Sequence, residues 1–360
     1  DRMGRVIEEL GVLKEPRAGH DLVLSIDRRL QYLAYSELNK TVEDFAAKSG
    51  SVVVLDAQNG EVLAIANVPS YNPNSRGFYN KDSYRNKALT DTFEPGSVIK
   101  PFTIASALET GLFTPESIID TNPSRMVVHG RTVSDIHNYG VLDVTGVLRY
   151  SSNIGVTKMA LASPPEQLIG LLQRSGFAQR TESAYPGEAE GSLVNIKDAN
   201  PFVLATLSFG YGISTTALQL AKASLIFANE GQLKPITLLY NDTPNPPTQV
   251  IQPKTAAQVL KMMEAVLIEG TGKSGQVPGY RVAGKTGTAR VAGKKGYTDR
   301  KYTSSFIGIA PVSQPKFVVV VIVHEPSRKG YYAASVAAPL FSKVMGGALR
   351  LFNVPMDEKV

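Results

Sequence analysis

The chain has 360 residues, is 43% hydrophobic and 19% charged, and carries a net charge of +6. That is an ordinary globular composition, long for one compact core, and it fits one large domain or two. It contains no cysteine, which excludes disulfides and thiolate chemistry, and its four histidines lie too far apart for metal-ligand spacing. The mild positive charge comes without long basic runs or a nucleic-acid motif, so nucleic acid is not an expected partner; attraction to anionic substrates or an anionic membrane surface fits it better. No apolar stretch approaches the roughly 18 residues of a membrane span.

Residues 1 to 20 mix charge, Gly and Pro and read as a linker or the end of a preceding domain. The chain starts at Asp1 without a methionine, which fits a fragment of a longer protein. Ser25-Ile26-Asp27 offers a helix start. Leu30, Leu33, Ala34 and Leu38 then give one apolar helix face, predicting a helix to about Ala47. Ser51 to Leu55 reads as a strand, Gln58-Asn59-Gly60 as a hairpin turn, and Glu61 to Ala66 as the return strand. Residues 67 to 92 are polar and turn-rich.

Next comes Phe93-Glu94-Pro95-Gly96-Ser97-Val98-Ile99-Lys100-Pro101. Pro95-Gly96 reads as a turn, and Ile99, Phe102, Ala105, Ala107 and Leu108 recur at helical spacing until Gly111. Ser97 is therefore expected in the first turn of an apolar helix, with Lys100 on the same face and within reach of its hydroxyl. A serine hydroxyl is a weak nucleophile without a base, and a lysine acts as that base only where burial or nearby positive charge lowers its pKa.

From Phe113 to Val144 the pattern is broken, and loops and short elements are expected. Val144 to Arg149 reads as a short helix ending at Tyr150-Ser151-Ser152-Asn153, with a second starting at Ile154. Helices are expected over Pro165 to Gln173, over Pro201 to Ala228 with a break at Gly210-Tyr211-Gly212, and over Thr255 to Ile268. Asn241 to Pro247 is a Pro-rich loop. Arg281 to Thr288, Ser304 to Ala310 and Phe317 to His324 read as strands, and Ala333 to Leu351 as the closing helix. Helix, two strands, a long helical segment, three strands and a helix describe an α+β chain.

Three short motifs stand in order: Ser97-Val98-Ile99-Lys100 at a helix start, Ser151-Ser152-Asn153 between helices, and Lys285-Thr286-Gly287-Thr288 on a strand. None is specific alone. Ser313-Gln314-Pro315-Lys316, Ser70-Tyr71-Asn72, Lys48-Ser49-Gly50 and Lys273-Ser274-Gly275 repeat the patterns in poor contexts or out of order. Taken as an ordered set, S-x-x-K, S-x-N and K-T-G are the signature of penicillin-binding proteins and class A β-lactamases.

From about Asp21 to Phe352 the chain resembles the transpeptidase module of class B penicillin-binding proteins. Phe93 to Ser97, Tyr150 to Gly155, Pro186 to Gly191 and Val277 to Tyr280 resemble the division-specific Gram-negative branch, and Asn153 marks that branch where elongation-specific relatives usually carry aspartate. The resemblance implies a penicillin-binding, β-lactamase-like fold over residues 21 to 360, an antiparallel sheet flanked by helices with a mainly helical insert at about 80 to 270.

It also implies a chemistry. Ser97 attacks the penultimate D-Ala carbonyl of a peptidoglycan stem peptide, and an amine from a neighbouring stem takes the acyl group. Lys100 serves as base, helped by Lys285, with Ser151 as proton relay and Asn153 holding Lys100 and the substrate amide. The N–H groups of Ser97 and Thr288 form the oxyanion hole. Thr286, Thr288 and Lys285 bind the terminal carboxylate, and Gly287 lets substrate lie against the strand edge. Arg290, Tyr302, Tyr331 and Tyr332 are further expected pocket residues.

β-Lactam antibiotics are implied as acylating inhibitors, no metal or organic cofactor is implied, and the expected partners are division-complex proteins including a lipid-embedded glycosyltransferase. The implied location is the periplasmic face of the bacterial inner membrane, with the anchor absent from this chain. A β-lactamase or D,D-carboxypeptidase is the alternative enzyme, for which Glu188 in Pro186-Gly187-Glu188 is the glutamate to examine. A β-lactam sensor or scaffold is the non-enzyme alternative.

Overall fold

A computed structural model of the chain describes all residues except 1, 9, 10, 12, 13, 16, 76–80, 241–245, 294, 295, 298, 299, 359 and 360. Asp27 caps helix α1 (Arg28–Asp44), its carboxylate accepting from the backbone N–H groups of Arg29 and Leu30. Leu30, Ala34 and Leu38 are fully buried on the helix face that the spacing predicted. Strands β1 (Ser49–Asp56) and β2 (Val62–Val68) form the first hairpin. β3 (Ala283–Arg290), β4 (Tyr302–Ala310) and β5 (Phe317–His324) come from the last third of the chain.

These five strands make one antiparallel sheet in the order β3-β4-β5-β1-β2. β1 and β5 carry the β-branched runs Val52–Val54 and Val318–Val323, as strands covered on both faces do. α1 and the closing helix (Ala337–Leu351) pack on one face; the helix Ala217–Ala228 covers the other. Gly308 lets the closing helix come close: a Cβ there would sit 2.3 Å from the Phe341 ring.

The two sheet edges are treated differently. At the β2 edge, the Gln31 side chain of α1 donates to Ile65 O at 3.0 Å and accepts from Ile65 N at 2.7 Å. The edge is thereby closed against further pairing. At the β3 edge no strand is paired among the described residues, and Ser97, Ser151, Asn153, Thr286 and Thr288 gather around a cavity there.

Between the hairpin and β3 runs a largely helical segment. Its helices include Lys100–Glu109, Val144–Arg149, Asn153–Leu161, Pro165–Arg174, Pro201–Ser208, Ala217–Ala228 and Pro253–Ile268. Asp143, Ser152 and Asn200 cap three of these with side-chain acceptors, the reason short runs hold as helices. The stretch from Phe113 to Val144 forms two small ladders, Ile118–Asp120 with Val141–Asp143 and Arg125–Val128 with Arg131–Ser134. The Pro-rich loop expected over Asn241 to Pro247 lies largely outside the described residues.

Several boundaries differ from the sequence expectation for identifiable reasons. Ser97 lies in a 3-10 turn, Gly96–Ile99, and the α-helix proper begins at Lys100. Gly96 has φ of +60° and its N–H donates to Gly210 O, so the chain enters the helix through a tight, pinned turn. The last helix starts at Ala337 rather than Ala333: residues 333 to 336 form a turn that leads into it, and the Ala333 N–H donates to Thr288 Oγ1 at 3.0 Å. Strand β3 starts at Ala283, since the Arg281 N–H is committed to Asp357 Oδ1 at 2.7 Å. Within residues 67 to 92 there is a one-turn helix, Lys87–Thr90, that no pattern announced. Among the described residues, no helix is long and apolar enough to cross a membrane.

Candidate active site

Ser97, Ser151, Asn153, Thr286, Thr288, Arg290, Tyr302, Tyr331 and Tyr332 line one cavity of about 540 Å³. Three further expected residues do not line it. Lys100 and Lys285 are fully buried beneath it. Gly287 lies behind: a Cβ there would sit 2.4 Å from Ser305 Oγ, 2.9 Å from Val98 and 3.0 Å from Pro95 O. The missing side chain of Gly287 thus faces the turn that carries Ser97. The reason for glycine is close packing of β3 on that turn, and not clearance for a ligand at the strand edge.

The two buried lysines converge on one hydroxyl. Lys100 Nζ lies 3.1 Å from Ser151 Oγ and donates to Ser151 O at 2.5 Å and Asn153 Oδ1 at 2.7 Å. Lys285 Nζ donates to Ser151 Oγ and to Thr286 O, both at 3.0 Å. No hydrogen bond joins Lys100 to Ser97 among the described residues; the lysine is held by the Ser151–Asn153 turn.

Burial drives the pKa of Lys100 well below its ordinary value, and repulsion from Lys285 adds to this while the Asp135 carboxylate opposes it. Burial alone brings Lys285 from 10.5 down to about 7. A neutral Lys100 has two N–H donors, and its two carbonyl acceptors match them. Its lone pair is left for a hydroxyl proton.

Ser151 adopts φ of +60°, a left-handed conformation that a serine holds only when its surroundings fix it. Asp135 supplies much of that fixing. Its carboxylate accepts from Ser152 Oγ at 2.6 Å, Asn153 N at 2.5 Å and Ile154 N at 3.1 Å, and the neighbouring Ser134 O accepts from Asn153 Nδ2 at 2.9 Å. An anion at this helix start is favoured by the free N–H groups there. Nothing in the sequence flagged Asp135, because it sits in the irregular stretch before Val144.

Thr271 is a second residue that sequence reasoning missed: its hydroxyl meets that of Thr286 at 2.7 Å, and it lines the cavity. Ile136, Tyr139, Tyr150, Phe209 and Tyr211 complete the apolar wall. Tyr302 and Tyr331 stack with centroids 3.9 Å apart, and Tyr331 leans on Tyr332 at 4.6 Å. Arg290 stands at the end of β3, its backbone N–H donating to Tyr211 OH at 3.2 Å. Glu188 is elsewhere. Its carboxylate accepts from Thr181 N at 2.8 Å and from the hydroxyls of Thr181 and Ser183, and it does not line the cavity.

The family model described as "Penicillin binding protein transpeptidase domain" matches residues 50–346. The chain is 42% identical over 355 residues to the probable peptidoglycan D,D-transpeptidase PbpC of Pseudomonas aeruginosa, covering 98% of this chain and 63% of that protein. It is 41% identical over 358 residues to the peptidoglycan D,D-transpeptidase FtsI of Escherichia coli K12, covering 99% of this chain and 60% of that protein. The chain therefore spans about three-fifths of the length of these curated relatives.

Among solved structures, the apo TP domain of Burkholderia pseudomallei penicillin-binding protein 3 superposes with a TM-score of 0.86 at 39% identity, covering 95% of this chain and 100% of that one. With the α+β fold, the ordered motifs and these matches agreeing, the chain belongs to the penicillin-binding protein transpeptidase domain family.

Proposed function

We propose that this chain is the catalytic module of a peptidoglycan D,D-transpeptidase that cross-links stem peptides in septal wall synthesis and is inhibited by β-lactams. The observation that carries the reading is the convergence of Lys100 and Lys285 on Ser151 beneath a cavity that Ser97 lines. Ser97 Oγ attacks the carbonyl carbon of the penultimate D-Ala, and its proton passes to neutral Lys100. The oxyanion forms against the N–H groups of Ser97 and Thr288, where losing one donor typically costs about 2.7–4 kcal/mol.

The C–N bond to the last D-Ala then breaks. Lys100 returns the proton through Ser151 Oγ to the departing amine, and Lys285 donates to the same oxygen and orients its hydrogen. The acyl group stays on Ser97 until an amine of a second stem attacks, with Lys100 taking that amine's proton and Ser97 leaving as the free hydroxyl. Thr286 and Thr288 hold the terminal carboxylate, Lys285 adds positive potential from beneath the cavity and does not touch it, and Thr271 keeps the Thr286 hydroxyl oriented. Arg290 and the Tyr302, Tyr331 and Tyr332 wall receive the upstream part of the stem.

A peptidoglycan substrate fits a location on the periplasmic face of the inner membrane, and the family resemblance suggests division-complex proteins, including a lipid-embedded glycosyltransferase, as partners. The engagement of Glu188 by Thr181 and Ser183 weighs against a class A β-lactamase, because that carboxylate is not available to activate a deacylating water.

Intact-mass measurement after mixing with a penicillin tests the reading. The expected result is a lasting adduct of one drug mass on Ser97, lost in Ser97→Ala. An adduct that vanishes within seconds while hydrolysed drug accumulates would make the protein a β-lactamase, and no adduct at all would leave a scaffold.

A further inference from the structure

The stretch Phe93-Glu94-Pro95-Gly96-Ser97 contains a carboxylate that the proposed reaction does not use. Glu94 stands just ahead of the Ser97 turn and is half-buried. Its two oxygens accept from different parts of the chain: Oε1 from Gly212 N at 3.1 Å, and Oε2 from Tyr297 OH at 2.7 Å. Hydrogen bonds to a carboxylate are stronger than neutral ones, so Glu94 is a fastening point rather than a solvated surface charge.

Backbone contacts already stitch the nucleophile segment to the Gly210-Tyr211-Gly212 break. Phe93 and Thr215 exchange N–H to O bonds, each at 3.0 Å, and Gly96 N donates to Gly210 O at 3.0 Å. Gly210 has φ of +88°, and a Cβ there would sit 2.1 Å from Gly96 O. The break therefore lies directly on the Ser97 turn, and Tyr211 within it lines the active-site cavity.

Tyr297 comes from the connection between β3 and β4, which prolongs the hairpin beyond Arg290. Val291 N donates to Lys301 O at 2.9 Å, and Gly293 and Gly296 exchange N–H to O bonds at 2.8 and 3.0 Å. The Tyr297 ring meets Tyr211 edge-on, with centroids 5.6 Å apart and planes at 82°. Tyr211 OH in turn accepts from Arg290 N. Tyr211 and Arg290 line the active-site cavity, at the far end of β3 from Lys285, whereas Glu94 and Tyr297 do not line it.

We infer that Glu94 and Tyr297 are positioning residues for the upstream end of the donor stem. Glu94 fastens the hairpin through Tyr297, the Tyr297 ring braces Tyr211, and the Tyr211–Arg290 wall is thereby held in register with Ser97. The pair sets how firmly the acyl portion upstream of the scissile carbonyl is gripped. It has no contact with the proton path through Lys100 and Ser151. The inference rests on the transpeptidase reading and adds to it two residues that govern donor specificity from outside the cavity.

The test is the second-order rate of acylation of wild type, Tyr297→Phe, Glu94→Ala and the double variant by two penicillins. Piperacillin carries a long acyl side chain in place of the upstream stem. Aminopenicillanic acid has the same ring system and no acyl side chain. In Tyr297→Phe the piperacillin rate is expected to fall by about fivefold to tenfold, the scale of one net hydrogen bond, with the rate for aminopenicillanic acid unchanged. The double variant is expected to lose no more than Glu94→Ala, since Tyr297 acts through that carboxylate.

An equal fall for both penicillins in Tyr297→Phe marks a merely structural contact and overturns the inference. An unchanged piperacillin rate, or a further fall in the double variant, overturns it as well. Should Glu94→Ala fail to fold, Tyr297→Phe decides alone. A wild type that takes neither penicillin overturns the transpeptidase reading together with this inference, whereas normal wild-type acylation without selectivity in Tyr297→Phe overturns this inference alone.

Discussion

Lys100 and Lys285 approach the same oxygen, Ser151 Oγ, from two sides, at 3.1 and 3.0 Å. Two amines that share one hydroxyl in a buried site cannot both carry full charge cheaply. Burial first and repulsion from Lys285 second hold the pKa of Lys100 well below the ordinary lysine value, as its proposed role of proton acceptor requires.

The first consequence concerns the pH dependence of acylation. Repulsion from Lys285 lowers the pKa of Lys100. Replacing it by Lys285→Met removes that repulsion and raises the pKa, so the acid limb of the limiting acylation rate moves to higher pH. Stopped-flow acylation by a chromogenic β-lactam, at saturating drug across pH 5 to 9, reads the shift. An acid limb that stays in place would show that Lys285 serves substrate binding alone.

A second consequence concerns stability. Lys285 has a folded pKa of about 7 against 10.5 for an ordinary lysine. Between those values the unfolded chain holds the proton and the folded protein has released it. Stability therefore rises with pH across that window, by at most about 1.4 kcal/mol per pH unit from this group. Below pH 7 both states are protonated and this contribution is flat. Urea midpoints from pH 7 to 10 should rise in wild type relative to Lys285→Met, and parallel curves would contradict the shift.

Asp135 holds the Ser151–Asn153 turn through three hydrogen bonds. Asp135→Asn should lower stability by about 1.5–3 kcal/mol, the scale of a lost charged hydrogen bond. Because its charge raises the Lys100 pKa, its loss should also move the acid limb of acylation to lower pH, opposite to Lys285→Met. A stability loss with an unmoved acid limb would make Asp135 structural only.

Gly287→Ala should act through packing. The new methyl would press on Val98 and the Pro95 carbonyl, and so displace the Ser97 turn from β3. We expect a destabilisation of about 1–3 kcal/mol. The limiting acylation rate should fall more than the affinity for the drug. A variant that loses affinity while keeping its limiting rate would instead place the effect at the strand edge.

Much of this protein was legible in one dimension. The β-branched runs at Val52–Leu55 and Phe317–Val323, the cap at Asp27 and the apolar spacing of Leu30, Ala34 and Leu38 act between chain neighbours, and the corresponding elements formed where the pattern placed them. The three motifs were legible for the same reason: each is a short local arrangement on one turn or strand.

Tertiary structure decided what those residues touch. Asp135 reaches Ser152 and Asn153 only because a small ladder folds its loop onto the next helix, and Thr271 meets Thr286 only where a loop crosses the β3 edge. The orientation of Gly287, the left-handed Ser151 and the depressed lysine pKa values likewise follow from groups distant in sequence brought into a water-poor space. Local periodicity records which face of an element is apolar. The position of a side chain between elements is set by how those elements pack, and that information is spread over the whole chain.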